Sequence, residues 1–223
     1  MSFILYKDDI LRNKAIINWD TTNTSFIRIA MVLKRMGIQN YYFFLSLLQP
    51  DLINVDPYSK DLDDLTKTKI LLECKYNPWY FFRECLKVPA SGGEVTDFTL
   101  SRGNLAAIWA FLNDIDFGLI MPRQTGKTYV SQSIIDYMLY ILSDHITIAH
   151  FDKDGTNCVN IIRTVKELRN GMPKWMYEKS AADTDRKESI SYAKKQNVYL
   201  TFPSPTDERD AYKKGRKLDH CGL

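Results

Sequence analysis

From Asp116 onward the hydrophobic period changes in a way that few folds accommodate. Phe117–Met121 is a short apolar run of strand length. Thr128–Leu142 repeats apolar positions at helical spacing. Ile146–Phe151 is a second apolar run, and Thr156–Arg169 is a second helix with Val159, Ile162, Val165 and Leu168 in register. Strand–helix–strand–helix order calls for parallel strands joined by right-handed crossovers. The spacing therefore predicts an α/β fold in which Phe117–Met121 lies parallel to Ile146–Phe151. Ser189–Ala193 and Asn197–Phe202 flank Lys194–Gln196 and read as a β-hairpin.

The first half reads differently. Phe26, Ile29, Val32, Leu33 and Met36 recur at helical spacing, Gly37 interrupts, and Tyr41–Leu48 is a dense apolar and aromatic run, which predicts two short helices joined at Gly37. Asp56-Pro57 marks a turn. Asp61–Cys74 predicts a helix with acids at its start and lysines at its centre. Asn77-Pro78 opens another, with Pro in the first turn and Trp79, Phe81, Phe82, Cys85 and Leu86 following. Pro89–Gly93 is a break. Ser101 is a candidate N-cap for a helix over Ser101–Leu112, with Leu105, Ile108, Trp109 and Leu112 on one face. The division expected is a helical portion over residues 1–95 and an α/β core over residues 96–223.

At 223 residues with 45% hydrophobic positions, the chain is long enough for a sizeable core. No 18-residue apolar run exists to span a membrane. Met1–Lys14 carries Asp8 and Asp9 ahead of any long apolar stretch, so it is not read as a signal peptide. A net charge of +3 does not by itself argue for nucleic acid. Cys74, Cys85, Cys158 and Cys221 show no Cys-x-x-Cys spacing and read as free thiols rather than zinc ligands.

The chemistry lies between the first apolar run and the helix that follows it. Gly126-Lys127-Thr128 matches the second half of the phosphate-binding loop GxxxxGK[ST], with Met121 where that loop begins with Gly. Amides at a helix N-terminus point at phosphates and are helped by the helix dipole. Gly126 permits positive φ and close backbone approach. Lys127 reaches the β and γ phosphates, and the Thr128 hydroxyl ligates Mg²⁺. Gln124 and Thr125 contribute backbone amides. Strand before, helix after and a second strand beyond are the context that such a loop requires.

Pro122-Arg123-Gln124-Thr125-Gly126-Lys127-Thr128 resembles the Walker A loop of the large terminase subunit of tailed bacteriophages, which carries Arg near its start and lacks the first Gly. Upstream, residues 77–84 and 100–109 resemble the lead-in to that family's ATPase core and its adenine-contacting segment. The resemblance covers residues 76–216 and is most specific over 98–128. It implies a P-loop NTPase-like core preceded by a helical portion, ATP and Mg²⁺ as cofactors, and the coupling of ATP hydrolysis to DNA translocation into the procapsid. The partners it implies are double-stranded DNA, the portal protein, the small terminase subunit and further copies on the procapsid, in the cytoplasm of a bacterial host and with no membrane. Arg123 takes the γ-phosphate in that reading, or is a solvated loop arginine. Arg102 and Asn104 contact adenine, or serve as an exposed arginine and an ordinary helix-start residue.

The family also needs an apolar strand ending in Asp-Glu after the phosphate loop. Asp207-Glu208 follows Pro203 and Pro205 in a polar stretch and does not fit. The expectation is an incomplete core that ends before this acidic motif, with no nuclease carboxylates. Two other function classes stay open. One is a nucleotide-binding assembly module without turnover. The other is a small P-loop kinase, although kinases usually keep the first Gly. Trp79, Phe81 and Phe82 are expected in the core rather than as a base-stacking platform. His150 is expected to be structural. Lys213–Lys217 reads as a solvated charge run or a DNA-phosphate contact.

Overall fold

Residues 15–90, 94–118, 120 and 126–203 are described by a computed structural model. Strand β1 (Ile16–Ile17) pairs antiparallel with β2 (Ser46–Leu47), Ile16 opposite Leu47. Between them runs helix α1 (Thr24–Arg35). Its N-cap Asn23 accepts from Ser25 N and donates through Nδ2 to Arg83 O (3.2 Å) and Phe98 O (3.0 Å). One side chain thus caps a helix and holds it to two distant segments. The helix stops because Gly37 takes φ +77. Gly37 N donates to Lys34 O and Ile38 N to Leu33 O, the paired bonds of a Schellman motif.

The second short helix expected after Gly37 does not form. Phe43–Leu45 is a 3₁₀ turn that leads into β2. Phe44, Leu45 and Leu47 are all fully buried, and one helical face could not bury neighbours on every side. The backbone amides that a helix would have used go to Glu73, whose carboxylate accepts from Leu48 N and Gln49 N, each at 2.9 Å.

Helix α2 (Asp64–Tyr76) starts at Asp63, which accepts from Thr66 N at 2.7 Å. A short helix α3 (Pro78–Tyr80) runs into a π turn, Phe81–Cys85. Trp79, Phe81 and Phe82 lie in the core, as their spacing suggested. At the expected break, Pro89 ends β3 (Lys87–Pro89), which pairs antiparallel with β4 (Val95–Asp97); Ser91–Gly93 lie outside the described residues. Helix α4 (Arg102–Leu112) begins at Ser101, whose Oγ accepts from Asn104 N at 3.2 Å.

Helix α5 (Lys127–Tyr137) continues as a π turn, Met138–Leu142. Strand β5 (Thr147–Asp152), helix α6 (Gly155–Asn170), and the hairpin of β6 (Ser189–Tyr192) and β7 (Asn197–Pro203) complete the order. The sheet order is β5-β7-β6, with β7 parallel to β5 and antiparallel to β6. The expected partner of β5 is not seen as a strand in its described residues: Phe117, Gly118 and Ile120 belong to none. Among the described residues the strand parallel to β5 is the return strand of the hairpin. Leu119 and Met121 lie outside the described residues. After α6 the chain enters the sheet at β6 and reverses, and that reversal gives β7 the direction of β5. The architecture is mixed α/β with a mixed sheet.

Alternation decides what the sheet buries. Asn197, Tyr199 and Thr201 of β7 and Ile190 and Tyr192 of β6 point inward. The other face carries Phe151, 68% exposed and stacked on Phe202 at 5.5 Å. A continuous core runs from Phe26 through Trp79, Ile108 and Val130 to Tyr199. Gly171, at the end of α6, has φ −80, so its conformation suits any residue. A Cβ there would stand 2.1 Å from Lys87 O. Glycine is required because α6 abuts β3. Among the described residues no helix is long and apolar enough to cross a membrane.

Candidate functional site

Gly126 has φ +81 and ψ 14 and is the N-cap of α5. The residue has no side chain to cap the first turn of the helix, and a helix N-terminus without a side-chain cap is a position at which anions bind. A Cβ at Gly126 would meet nothing within 4 Å, so dihedral angle rather than space demands glycine. Lys127 is half-buried in the first turn and Thr128 is exposed beside it. Arg123, Gln124 and Thr125 lie outside the described residues.

Helix α5 is held firmly from behind. Gln132 Oε1 accepts from the Tyr199 hydroxyl at 3.4 Å, within the core. The Tyr137 hydroxyl donates to Cys74 O at 3.0 Å. Asn197 Nδ2 donates to Leu139 O and Ser143 O, both at 2.8 Å, and its Oδ1 accepts from Ile146 N. These bonds join the helix and its π turn to β5, β7 and α2.

Helix α4 packs against α5 and carries the other two candidates. Arg102 is exposed in its first turn. Asn104 is 7% exposed. Its Nδ2 donates to Thr99 O at 2.9 Å, and its buried Oδ1 accepts no hydrogen bond. An unmatched buried acceptor suits an amino donor from a ligand. His150 sits on β5, edge-on to the Tyr199 ring at 6.2 Å, with Nε2 3.9 Å from Asp152.

Sequence reading missed a buried charge cluster on the inner flank of α5. Asp136 is fully buried, and neither carboxylate oxygen has a hydrogen-bond partner. Burial pushes its carboxyl well above the ordinary range, and Arg169 only partly offsets this. Arg169 on α6 donates through Nη1 and Nη2 to Asp185 at 2.9 and 3.0 Å, while its Nε is unpaired. Burial opposes the charge on Asp185, but hydrogen bonds from Arg169 and Lys179 prevail and bring its carboxyl down to about 2. The one signal in the sequence was an acid inside the apolar period of Thr128–Leu142.

Among the described residues no group of His, Cys, Asp and Glu is placed to hold a metal ion. Thr128 presents an exposed hydroxyl at the mouth of α5, which fits a role on Mg²⁺ carried in by a nucleotide. Cys74, Cys85 and Cys158 are buried free thiols. Asp207-Glu208 and Lys213–Lys217 lie outside the described residues. No family model matches the chain, and no curated protein matches it at a significant level.

Proposed function

We propose that Gly126, Lys127 and Thr128, preceded by Arg123, Gln124 and Thr125, bind the triphosphate of ATP with Mg²⁺. On this reading the chain is the ATP-binding part of a viral DNA-packaging motor of the terminase kind. The observation that carries the proposal is the left-handed Gly126 at an N-terminus it cannot cap, followed directly by Lys127 and Thr128. Bound Mg²⁺ would neutralise phosphate charge, and this chain supplies the helix amides, the Lys127 ammonium and the Thr128 hydroxyl around it. The unmatched Asn104 Oδ1 supports adenine as the base, with its exocyclic amine as donor. Arg102 lies at the same helix start, and Arg123 would spread charge on the γ-phosphate.

Double-stranded DNA, the portal protein, the small terminase subunit and further copies of the chain are the partners that belong to this proposal. The place is the procapsid in the cytoplasm of a bacterial host. The test is calorimetry of MgATP binding by the wild type and Lys127→Ala. Loss of a charge-assisted contact should weaken affinity by about 1.5–3 kcal/mol, roughly 10- to 150-fold. Equal affinities would overturn the assignment. Salt-dependent binding of double-stranded DNA by the same chain tests the motor half of the reading.

A further inference from the structure

Away from α5, the segment before α1, the turn that follows β2 and the π turn with β4 enclose a cavity of about 490 Å³. Small-ligand pockets span roughly 300–1,000 Å³. Leu52, Val55 and Pro57 give it an apolar wall. Asp20, Asp56, Glu84 and Asp97 set four carboxylates around it, against the cations Arg83 and Lys87.

Both cations are already engaged. Arg83 is buried and donates through Nε to Glu84 at 2.8 Å and through its terminal nitrogens to Phe44 O and Ser46 O. Lys87 Nζ stands 4.3 Å over the Tyr58 ring, whose hydroxyl is anchored on Gly171 O at 2.6 Å. Asp20, Asp56 and Asp97 form no ion pair with any described residue. Asp56 and Asp97 line the same cavity as the Tyr58 ring.

A polar donor faces the same space. Asn18 lines the cavity and is 5% exposed. Its Oδ1 accepts from Asp20 N at 3.0 Å, and its Nδ2 donates to no described residue. The cavity thus offers surplus negative charge, an aromatic ring and the side-chain amide of Asn18, a residue 5% exposed. An anion is excluded by charge, and an apolar ligand would leave Asn18 and the carboxylates desolvated.

We propose that this cavity binds an arginine or lysine side chain presented on a peptide segment of a partner protein. Asp56 and Asp97 hold the cation, the Tyr58 ring packs on its stem, and Asn18 Nδ2 donates to a backbone carbonyl beside it. The assignment does not depend on nucleotide binding at α5.

The probe is N-acetyl-arginine amide, titrated into the full chain and followed by calorimetry and amide NMR shifts. Agmatine keeps the cation and lacks the carbonyl. The citrulline analogue keeps the carbonyl and lacks the charge. The arginine amide should bind at least tenfold more tightly than the citrulline analogue and severalfold more tightly than agmatine. Asp56→Asn with Asp97→Asn, both at exposed positions, should weaken it at least tenfold at an unchanged unfolding midpoint. Lys87→Met removes the internal competitor and should tighten binding severalfold. Asn18→Asp keeps the acceptor for Asp20 N, and should erase the preference for the amide over agmatine. No binding at millimolar ligand, equal binding of the citrulline analogue, or indifference to both Asp56→Asn/Asp97→Asn and Lys87→Met would overturn the proposal.

Discussion

Arg169 gives both terminal nitrogens to Asp185, at 2.9 and 3.0 Å, and leaves the buried Asp136 without a hydrogen bond. Two acids compete for one guanidinium, and the more exposed acid holds it. Lys179 also reaches Asp185, so that acid keeps a cation even without Arg169.

The pH dependence of Asp136 follows from its raised carboxyl. Above about pH 4 the unfolded chain ionises this group while the folded chain keeps its proton. The unfolded state then binds fewer protons, so stability falls as pH rises from the ordinary carboxylate range toward the raised folded value. Asp136→Asn removes the fall. Thermal unfolding from pH 4 to 7 should show the variant gaining on the wild type as pH increases. A gap that stays constant with pH would contradict a protonated Asp136.

Asp185 carries the opposite sign. Its lowered carboxyl stabilises the fold above about pH 4, and that contribution is lost as pH falls toward 2. Half-open to water, the pair is screened, so the direct loss in Asp185→Asn is about 1 kcal/mol. The variant also frees Arg169 for Asp136. Asp136→Asn should therefore help the wild type and harm the Asp185→Asn background. Denaturant unfolding of the four proteins in this double-mutant cycle should give a coupling of about 1–3 kcal/mol.

Gly126→Ala isolates a backbone requirement from a steric one. Nothing stands within 4 Å of the added Cβ, yet φ is +81. The cost in stability should be about 1 kcal/mol, all of it conformational. MgATP affinity should fall further than stability does, because the left-handed turn at Gly126 sets the direction of the first helix amides. Unchanged affinity at reduced stability would separate Gly126 from the site.

Gly171→Ala makes the complementary case. Its φ is ordinary, and the added Cβ would meet Lys87 O at 2.1 Å. Backbone must move, opening Lys87 N to Gly171 O and the Tyr58 bond to the same carbonyl. A loss of about 2–3 kcal/mol is expected by chemical denaturation, as for other overpacked sites.

Turnover should be slow in the 223-residue chain. Lys127 and Thr128 can hold a triphosphate, but no apolar strand ending in Asp-Glu follows them in the sequence. A general base is typically worth about 10²–10⁴ in rate. Steady-state phosphate release should be near background, with Lys127→Ala as the control for contaminating activity. Fast release that vanishes in Lys127→Ala would mean that the chain supplies its own base, and Asp207 and Glu208 would be the first residues to substitute.

Local chemistry alone determined a good deal. Helices α1, α2, α4, α5 and α6, the Ser101 cap, the stop at Gly37 and the β6–β7 hairpin follow from short-range periods and caps within a few residues. The glycine requirement at position 126 was legible for the same reason, since a phosphate-loop pattern specifies a backbone angle. Tertiary structure decided the rest. The pairing of β5 with β7 joins residues about fifty apart in sequence, and hydrophobic period says which runs are strands but not which become neighbours. Burial from all sides turned Phe43–Leu45 away from a helix, and Glu73 took the amides thus released. The close approach that reserves position 171 for glycine and the contest of Asp136 and Asp185 for Arg169 belong to no single segment. Each arises only when two helices, or a helix and a strand, are pressed together and water is removed from the charges between them.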